Sequence, residues 1–490
     1  MADTEMQALK DKLFATRPNA GQALTDAQWD EATRYCHGYK AFLQAAKTER
    51  EAVTAALALA TAQGYAEFVP GTVYKPGDKV YVNNRGKALI FAVIGTGSLS
   101  AGLRLAAAHI DSPRLDLKQN PLYEDADLAL FKTHYYGGIK KYQWAAIPLA
   151  LHGVVIRADG TRVDVRIGEE PGDPQFCVTD LLPHLADEQY KRPLAQAIKG
   201  EELNVLVGAR AFRSDEGSDL VKLRILQGLF EKYGIVEADF LSAELELVPA
   251  FPVTDIGFDR ALIGGYGQDD RVCAYPALTA LLDVKGAVLD NAVNVFSSSA
   301  YQSLELPKTA PLHTCAVILA DKEEIGSEGN TGLCAAYFSH FVQALCGAAG
   351  VSANECIAHT RCLSADVNAA FDPTWPSVME KNNASYLNRG VVVTKYTGSR
   401  GKADTSDASA EFTAWVLKLF READLLWQTG ELGKVDEGGG GTVAKHLANL
   451  GMDVIDVGVP VLSMHAPFEV TAKTDIWMAH RAFSAFYATQ

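Results

Sequence analysis

The sequence predicts an α/β protein, in which a mostly parallel sheet is covered by helices and a second, β-rich domain is inserted. Three observations support this prediction. Short apolar runs alternate with helix-like stretches in the first and last parts of the chain. Residues 118–247 instead have the texture of antiparallel strands. Finally, the chain has 490 residues, of which 48% are hydrophobic, whereas a single core stops growing at about 250 to 300 residues.

The N-terminal region begins with helices that two capping boxes mark. Thr25-Asp-Ala-Gln28 and Thr48-Glu-Arg-Glu51 each place a hydroxyl three residues before a glutamine or glutamate, which satisfies free N–H groups at a helix start. After the first box, apolar residues recur at three- and four-residue steps and predict one buried face. These residues are Trp29, Ala32, Cys36, Tyr39 and Leu43.

Short, nearly continuous apolar runs predict the strands of the first domain. The runs are Val80–Val82, Leu89–Ile94, Leu105–Ile110, Cys315–Ala320, Val391–Val393 and Val454–Leu462. Such runs are typical of a sheet that is covered on both faces. Helix-like stretches at residues 275–282, 408–420 and 475–487 lie between or after them, and this alternation predicts α/β architecture.

The middle of the chain has the pattern of a separate unit. Residues 154–157 and 163–167 resemble antiparallel strands on either side of Asp159-Gly160, a pair that favours a tight hairpin turn. A helix-like stretch follows at residues 215–233. Because α/β character precedes this unit and resumes after it, we expect a discontinuous catalytic domain of residues 1–117 and 248–490, with residues 118–247 inserted.

Composition and charge argue against several functional classes. The net charge of -15 is unfavourable for nucleic acids, whose phosphates are bound by clustered Lys and Arg. The N-terminus lacks the basic and apolar segments of a signal peptide, and no apolar run reaches the roughly 18 residues of a membrane helix. Eight cysteines without C-x-x-C spacing are expected to be reduced. We therefore expect a cytoplasmic protein with no nucleic-acid or membrane partner.

Several ionisable residues follow predicted strands, which is where α/β folds place ligands. In His109-Ile-Asp111 both side chains lie on one face of a strand, so the carboxylate can hold an imidazole that binds metal. Glu323 and Glu324 can converge on one site only if the chain turns, as Gly326 allows. One glutamate could then bind metal while the other takes a proton. Each motif alone is more often an ordinary surface or core feature than a functional site.

Asp366 and His465 follow two further apolar runs in the same way. With His109 and the glutamate pair they form a mixed nitrogen and oxygen ligand set, which suits zinc, manganese or cobalt. The set includes no cysteine, and this favours an open catalytic site over a structural zinc site.

Five motifs, in this order, resemble those of the aspartyl aminopeptidase family, which includes the vacuolar aminopeptidase I type. The motifs are His109-Ile-Asp-Ser-Pro113, Gln268-Asp-Asp-Arg271, Asp321-Lys-Glu-Glu-Ile-Gly-Ser327, Ser364-Ala-Asp366 and Ser463-Met-His465. The resemblance covers nearly the whole chain. It implies a fold of the zinc-peptidase type with an inserted dimerisation domain. It also implies a metal-dependent aminopeptidase that acts on the N-termini of peptides.

The resemblance further implies a role for each site residue and an assembly. The implied ligands are His109 and Asp366 for one ion, Glu324 and His465 for the other, and Asp269 as the bridge. Glu323 is implied as the general base, Asp111 as the residue that orients His109, and Lys395 as a substrate-binding residue. Each subunit would hold two divalent ions, zinc or else manganese or cobalt. The implied assembly is a tetrahedral homododecamer.

The chain also departs from the family pattern. Two histidines that the family has after Asp366 are missing, and Tyr142 stands where other members have a histidine that reaches the neighbouring subunit. These departures indicate a bacterial-type branch and weaken the expectation of a preference for acidic residues. A related two-metal deacylase or carboxypeptidase is the alternative enzyme, since the same site serves all three reactions. An inactive scaffold is a third alternative, which the intact Glu323 and ligand set disfavour.

Overall fold

The computed structural model describes residues 3–214, 217–283 and 310–490. These ranges form three β-sheets and α-helices on their faces. The helices are α1 (Asp3–Leu13), α2 (Ala20–Ala23), α3 (Asp26–Ala45), α4 (Glu49–Ala62), α5 (Asp187–Tyr190), α6 (Leu220–Tyr233), α7 (Gln268–Leu282), α8 (Tyr337–Ala349), α9 (Ala353–Ala358), α10 (Ala410–Glu422), α11 (Ala444–Ala448) and α12 (Lys473–Tyr487). Residues 215 and 216, which begin one helix-like stretch of the sequence, lie outside the described residues.

The first two capping boxes start helices as predicted. The Thr25 hydroxyl accepts the N–H of Gln28 at the start of α3, and the Thr48 hydroxyl accepts that of Glu51 at the start of α4. The predicted face of α3 is buried from its second turn onward, whereas Trp29, in the first turn, is only half-buried.

The central sheet has nine strands among the described residues. In spatial order they are β1 (Ala66–Glu67), β2 (Lys79–Asn84), β3 (Ala88–Val93), β14 (Cys315–Ala320), β4 (Arg104–His109), β15 (Arg361–Ser364), β19 (Asp453–Gly458), β17 (Val391–Thr394) and β18 (Trp427–Thr429). The central strands β14, β4, β15 and β19 pair in parallel. Antiparallel pairs join β2 to β3, β3 to β14 and β19 to β17. The predicted α/β fold with a mostly parallel sheet is thus confirmed.

Alternate side chains of the central strands enter two separate cores. In β14, Val317 and Leu319 belong to the core that includes residues of α3, α7 and α12. Ala316 and Ile318 belong to the core that includes residues of α8 and α11. Every residue of β14 is buried, so helices cover both faces of the sheet, as the continuous apolar runs predicted.

A second sheet contains seven described strands, and all its neighbours pair antiparallel. In spatial order they are β8 (Arg162–Ile167), β7 (Leu149–Ile156), β11 (Glu244–Pro249), β5 (Arg114–Asp125), β6 (Leu128–Tyr136), β10 (Val205–Gly208) and β9 (Cys177–Val178). β7 and β8 form the predicted hairpin around Asp159-Gly160. This sheet has its own core, which includes Phe131, Trp144 and Leu151. The expected boundaries, residues 118 and 247, fall within β5 and β11.

The third sheet contains five described strands and carries two site segments. The strands are β12 (Thr254–Ile256), β13 (Leu262–Gly265), β21 (Glu469–Ala472), β20 (Pro460–Leu462) and β16 (Asn368–Ala369). The run Val454–Leu462, predicted as one strand, is divided between β19 of the central sheet and β20 of this one. The division falls at Gly458, where a Cβ would lie 1.6 Å from the carbonyl oxygen of Asp366.

No helix within residues 3–214, 217–283 and 310–490 combines the length and apolar character that a bilayer crossing requires.

Candidate metal centre

Four of the predicted site residues meet where neighbouring parallel strands end. β14, β4 and β15 are adjacent in the central sheet. His109 is the last residue of β4, Glu323 and Glu324 follow β14, and Asp366 follows β15. Ligands of α/β folds bind at the carboxyl ends of such strands. This edge of the sheet is therefore the expected place for a site.

Asp269 and His465 reach the same edge from the five-stranded sheet. Asp269 lies in the first turn of α7, just after β13, and His465 lies in the loop between β20 and β21. Since β13 and β21 pair with each other, the two segments are held side by side.

Asp269 lies between two histidines. Its Oδ1 is 3.1 Å from Nε2 of His109, and its Oδ2 is 3.1 Å from Nε2 of His465. Ligand atoms of His109, Asp269 and Asp366 lie within 4.8 Å of one another, and so do those of Asp269, Glu324 and His465. The site thus consists of two groups of three residues that share one carboxylate.

Glu323 lies beside the first of these groups. Its Oε2 is 3.8 Å from Nε2 of His109, and its side chain is 18% exposed, compared with 2% for Glu324. The two glutamates point to one site because they lie in a single 3₁₀ turn and not in a strand. Lys322 before the turn and Gly326 after it both adopt left-handed conformations, and these produce the reversal that the adjacent pair requires.

Asp111 is a fully buried carboxylate that joins several of these elements. Its Oδ1 is 3.3 Å from Nδ1 of His109 and accepts the N–H of Glu323 at 3.1 Å. Its Oδ2 accepts the N–H of Glu324 at 3.2 Å and the hydroxyl of Tyr136 at 2.8 Å. One side chain therefore contacts the imidazole and also fixes the backbone of both glutamates.

The cluster concentrates negative charge in a buried place. Burial, with Asp366, Asp111 and Asp269 nearby, raises the pKa of Glu323 to about 8. Burial and the charge of Asp269 raise the pKa of Asp366 to about 7. Burial opposes charge on His465, but its contact with Asp269 outweighs burial and raises the His465 pKa to about 11. The raised carboxylate pKa values show that negative charge is destabilised in this cluster, and a bound cation would stabilise it.

The residues present fit zinc. Imidazole nitrogens and carboxylate oxygens are its ligands in catalytic sites. Oε1 of Glu324 is buried and has no hydrogen-bond partner among the described residues. Leaving a buried charged oxygen without a partner is costly. A cation held by Asp269, Glu324 and His465 would supply the missing partner.

The seven-stranded sheet also contributes to the cluster, through residues at and after the end of β6. Tyr136 donates its hydroxyl to Asp111. The carbonyl oxygen of Gly138 lies 2.8 Å from Nδ1 of His465. A Cβ on Gly137 would lie 3.3 Å from Oε2 of Glu324, so the chain passes very close to the site here. All three sheets therefore contribute residues that form or orient this cluster.

Sequence reasoning missed two buried acidic residues that hold the backbone of this site. Oδ2 of Asp270 accepts the N–H of His109 at 3.2 Å. Glu469 accepts the N–H of Asp269 at 3.1 Å and that of His465 at 2.8 Å. A signal was present, since Asp270 adjoins Asp269 and Glu469 follows His465 by four residues. Carboxylates in segments that are otherwise buried are costly unless something uses them.

Lys395, a further residue of the sequence analysis, makes its ion pair outside the cluster. Nζ of Lys395 lies 2.5 Å from Oδ1 of Asp407, and Nζ of Lys402 lies 2.9 Å from Oδ2 of the same carboxylate. Tyr142 is 40% exposed, so it projects from the surface of this chain.

Comparison with known proteins identifies the family. The family described as aminopeptidase I zinc metalloprotease (M18) matches residues 42–487. A Clostridium acetobutylicum protein named a probable M18 family aminopeptidase 1 is 47% identical over 476 residues, which cover 96% of this chain and 97% of that protein. These matches confirm the predicted enzyme class and favour an aminopeptidase over a deacylase or carboxypeptidase.

Solved structures agree with this result. The crystal structure of an M18 family aminopeptidase from Thermotoga maritima has a TM-score of 0.87 and 42% identity, and the match covers 97% of this chain and 100% of that one. The S. cerevisiae mApe1 dodecamer has a TM-score of 0.70 at 20% identity, covers 92% of this chain and 96% of that one, and supports the fold alone. The chain belongs to the M18 family of zinc aminopeptidases, metal-dependent hydrolases that act on peptides.

Proposed function

We propose that this protein is an aminopeptidase in which two zinc ions share Asp269. The observation that carries the proposal is the position of this carboxylate, with one oxygen 3.1 Å from His109 and the other 3.1 Å from His465. His109 and Asp366 would bind one ion, and Glu324 and His465 would bind the other. Manganese and cobalt accept the same ligands.

Glu323 is the residue that we propose as the general base. Its side chain is 18% exposed, compared with 2% for Glu324, so a water molecule can reach it. Bound zinc supplies Lewis-acid chemistry at the scissile carbonyl and at the attacking water. Glu323 accepts a proton from that water and donates it to the leaving amine. Burial and the neighbouring carboxylates raise the pKa of Glu323 to about 8 in the absence of ions. Bound cations would lower this pKa and so favour the basic form at neutral pH.

Glu323→Gln tests the base and the ion count together. This change keeps the size of the side chain and removes its ability to accept a proton. We expect the variant to retain two zinc ions per subunit, measured by elemental analysis, while kcat on an aminoacyl anilide falls by about 10²- to 10⁴-fold. Glu328→Gln, at an exposed position after the same turn, is the matched control. Equal activity of the two variants would refute Glu323 as the general base. A count of one zinc ion per subunit would refute the two-ion site.

We infer that the enzyme does not require an acidic N-terminal residue. Lys395 would be the partner of an acidic substrate side chain, but Asp407 already binds it. Asp407→Asn frees the lysine, and we expect it to raise kcat/KM for an aspartyl anilide relative to a leucyl anilide. Asp404→Asn is the matched control, because Asp404 pairs with a different lysine, Lys445. An unchanged ratio in Asp407→Asn would exclude Lys395 from substrate selection.

We propose that residues 118–247 form a dimerisation unit and that the protein assembles as a tetrahedral homododecamer. A stretch of this unit exposes large apolar side chains, and such patches indicate protein contacts. They are Leu181, Leu182, Leu185, Tyr190 and Leu194, each 53% to 72% exposed. The related mApe1 structure is described as a dodecamer.

Light scattering on the purified protein tests this assembly. We expect a mass of twelve subunits for the wild type and a smaller particle for Leu185→Glu, which places a charge in the apolar stretch. Leu450→Glu, at another exposed leucine, should leave the mass unchanged. A monomeric wild type would refute the assembly. An unchanged mass of the Leu185→Glu particle would show that the interface does not include Leu185.

We propose a cytoplasmic location. All eight cysteines are free and six are buried, which suits a reducing compartment. Cell fractionation with antibody detection would test this, and recovery in an oxidising compartment would contradict it.

A further inference from the structure

Glu469 is not in either ligand group, yet it binds the backbone of two ligand segments. It is the first residue of β21 and is 1% exposed. Its Oε2 accepts the N–H of Gln268 at 2.6 Å and that of Asp269 at 3.1 Å. Its Oε1 accepts the N–H of His465 at 2.8 Å. All three donors are main-chain groups, so this carboxylate holds the backbone of the segments that carry Asp269 and His465.

Strand pairing directs the Glu469 side chain to these donors. β21 pairs with β13 so that Glu469 lies opposite Gly265. Gln268 and Asp269 follow Gly265 by three and four residues, at the start of α7. His465 precedes Glu469 by four residues, in the loop that leads into β21. One side chain therefore joins the two loops that carry Asp269 and His465.

The loop that carries His465 needs such support. Ser463 and His465 have φ values of 58° and 64°, in the left-handed region, which is strained for non-glycine residues. Such conformations persist only where surrounding contacts hold them. The N–H of His465 bound to Glu469, and its Nδ1 beside the carbonyl of Gly138, are two such contacts.

We propose that Glu469 is a positioning residue that sets the separation of Asp269 and His465, and thereby the zinc affinity of the group formed by Asp269, Glu324 and His465. This inference rests on the proposed two-ion site. Glu469 acts through the backbone of the ligands, because its two oxygens accept three main-chain N–H groups and it belongs to neither ligand group. Three hydrogen bonds to one carboxylate are stronger than bonds to a neutral acceptor, so the two loops are held firmly at one spacing.

Glu469→Gln is the informative substitution. Glutamine has nearly the same shape but only one acceptor oxygen, so its NH₂ group must face at least one of the three N–H donors. We expect zinc affinity to fall about 10- to 100-fold, as when other residues that orient metal ligands are changed. The measurement is competition with a chromophoric chelator on the full-length protein. Activity should recover at high zinc concentration, because all the ligands remain.

Asp475→Asn is the matched control. Asp475 is fully buried, and its carboxylate accepts the N–H groups of Asn388 at 2.7 Å and Gly390 at 2.8 Å. The control therefore removes the same kind of bond at a place away from the ligands. We expect both variants to unfold at lower temperature than the wild type, and only Glu469→Gln to lose zinc affinity.

The outcomes separate this inference from the proposed function. Two zinc ions bound with wild-type affinity by Glu469→Gln would overturn the positioning role. A wild type that binds fewer than two ions would refute the two-ion site instead. If Glu469→Gln does not fold, Glu469→Asp takes its place. It keeps both oxygens on a shorter side chain that cannot reach both loops, and unchanged zinc affinity in that variant would also overturn the inference.

Discussion

Tyr136 connects the seven-stranded sheet to the metal ligands, and removing its hydroxyl tests that connection directly. The hydroxyl donates to Oδ2 of Asp111 at 2.8 Å. The Arg114 guanidinium lies 3.9 Å from the centroid of the Tyr136 ring, and a phenylalanine keeps this contact. Tyr136→Phe therefore removes one hydrogen bond from Asp111 and leaves the ring packing in place.

The size of the effect follows from the charge of the acceptor. A hydrogen bond to a charged group contributes about 1.5 to 3 kcal/mol. Asp111 retains its contacts with His109 and with the N–H groups of Glu323 and Glu324, so the lower limit applies. Since about 1.4 kcal/mol corresponds to a factor of ten, we expect kcat/KM to fall about tenfold.

The assay is kcat/KM on an aminoacyl anilide, with zinc affinity measured on the same samples. Tyr135→Phe is the control, because Tyr135 is the neighbouring residue on β6 and is 39% exposed. Equal activity of Tyr136→Phe and Tyr135→Phe would show that the seven-stranded sheet does not support the site through this hydroxyl.

Three further predictions concern the same cluster. Gly137 has a φ of 74°, and a Cβ there would lie 3.3 Å from Glu324, so Gly137→Ala should lower the free energy of unfolding, measured by thermal unfolding, by about 1 to 2 kcal/mol. Gly160→Ala, with φ 82° and no atom near its Cβ, measures the cost of the backbone conformation alone. Equal losses in the two variants would show that the contact with Glu324 contributes nothing. Without ions, His465 with a pKa of about 11 and Glu323 with a pKa of about 8 are protonated at neutral pH. Zinc must displace these protons, so its affinity should rise from pH 6 to 8; calorimetry that detects no proton release would contradict this. A chelator should abolish activity and zinc, manganese or cobalt should restore it, whereas activity that survives chelation would refute the metal mechanism.

The strands were predictable where burial on both faces makes the apolar run continuous. The predicted run Cys315–Ala320 matches the bounds of β14. The order of strands was not predictable, because β14 lies between β3 and β4, which are far from it in the chain. The break in the run Val454–Leu462 was also not predictable from the sequence, because it depends on the approach of the Asp366 backbone to Gly458. Local patterns do not encode such distant contacts.

The site residues were predictable as a set, whereas the contacts that hold them were not. The ordered series of motifs predicted that His109, Asp269 and the glutamate pair belong to one site, because each motif has a distinctive local sequence. Glu469 has no such motif. The local sequence around a glutamate at the start of a strand does not show whether its side chain faces solvent or main-chain N–H groups. Only the register of β21 with β13 turns it toward Asp269.

Asp111 and Glu469 hold different parts of the site, and substitutions of the two residues should therefore differ in their effect on kcat. Asp111 accepts the N–H of Glu323, the proposed base, whereas Glu469 accepts N–H groups only from segments that carry ligands. Asp111→Asn should therefore lower kcat even at saturating zinc, because the base is displaced as well as the ligands. Glu469→Gln should regain wild-type kcat at saturating zinc. If both variants recover fully when zinc is added, the position of Glu323 does not depend on Asp111.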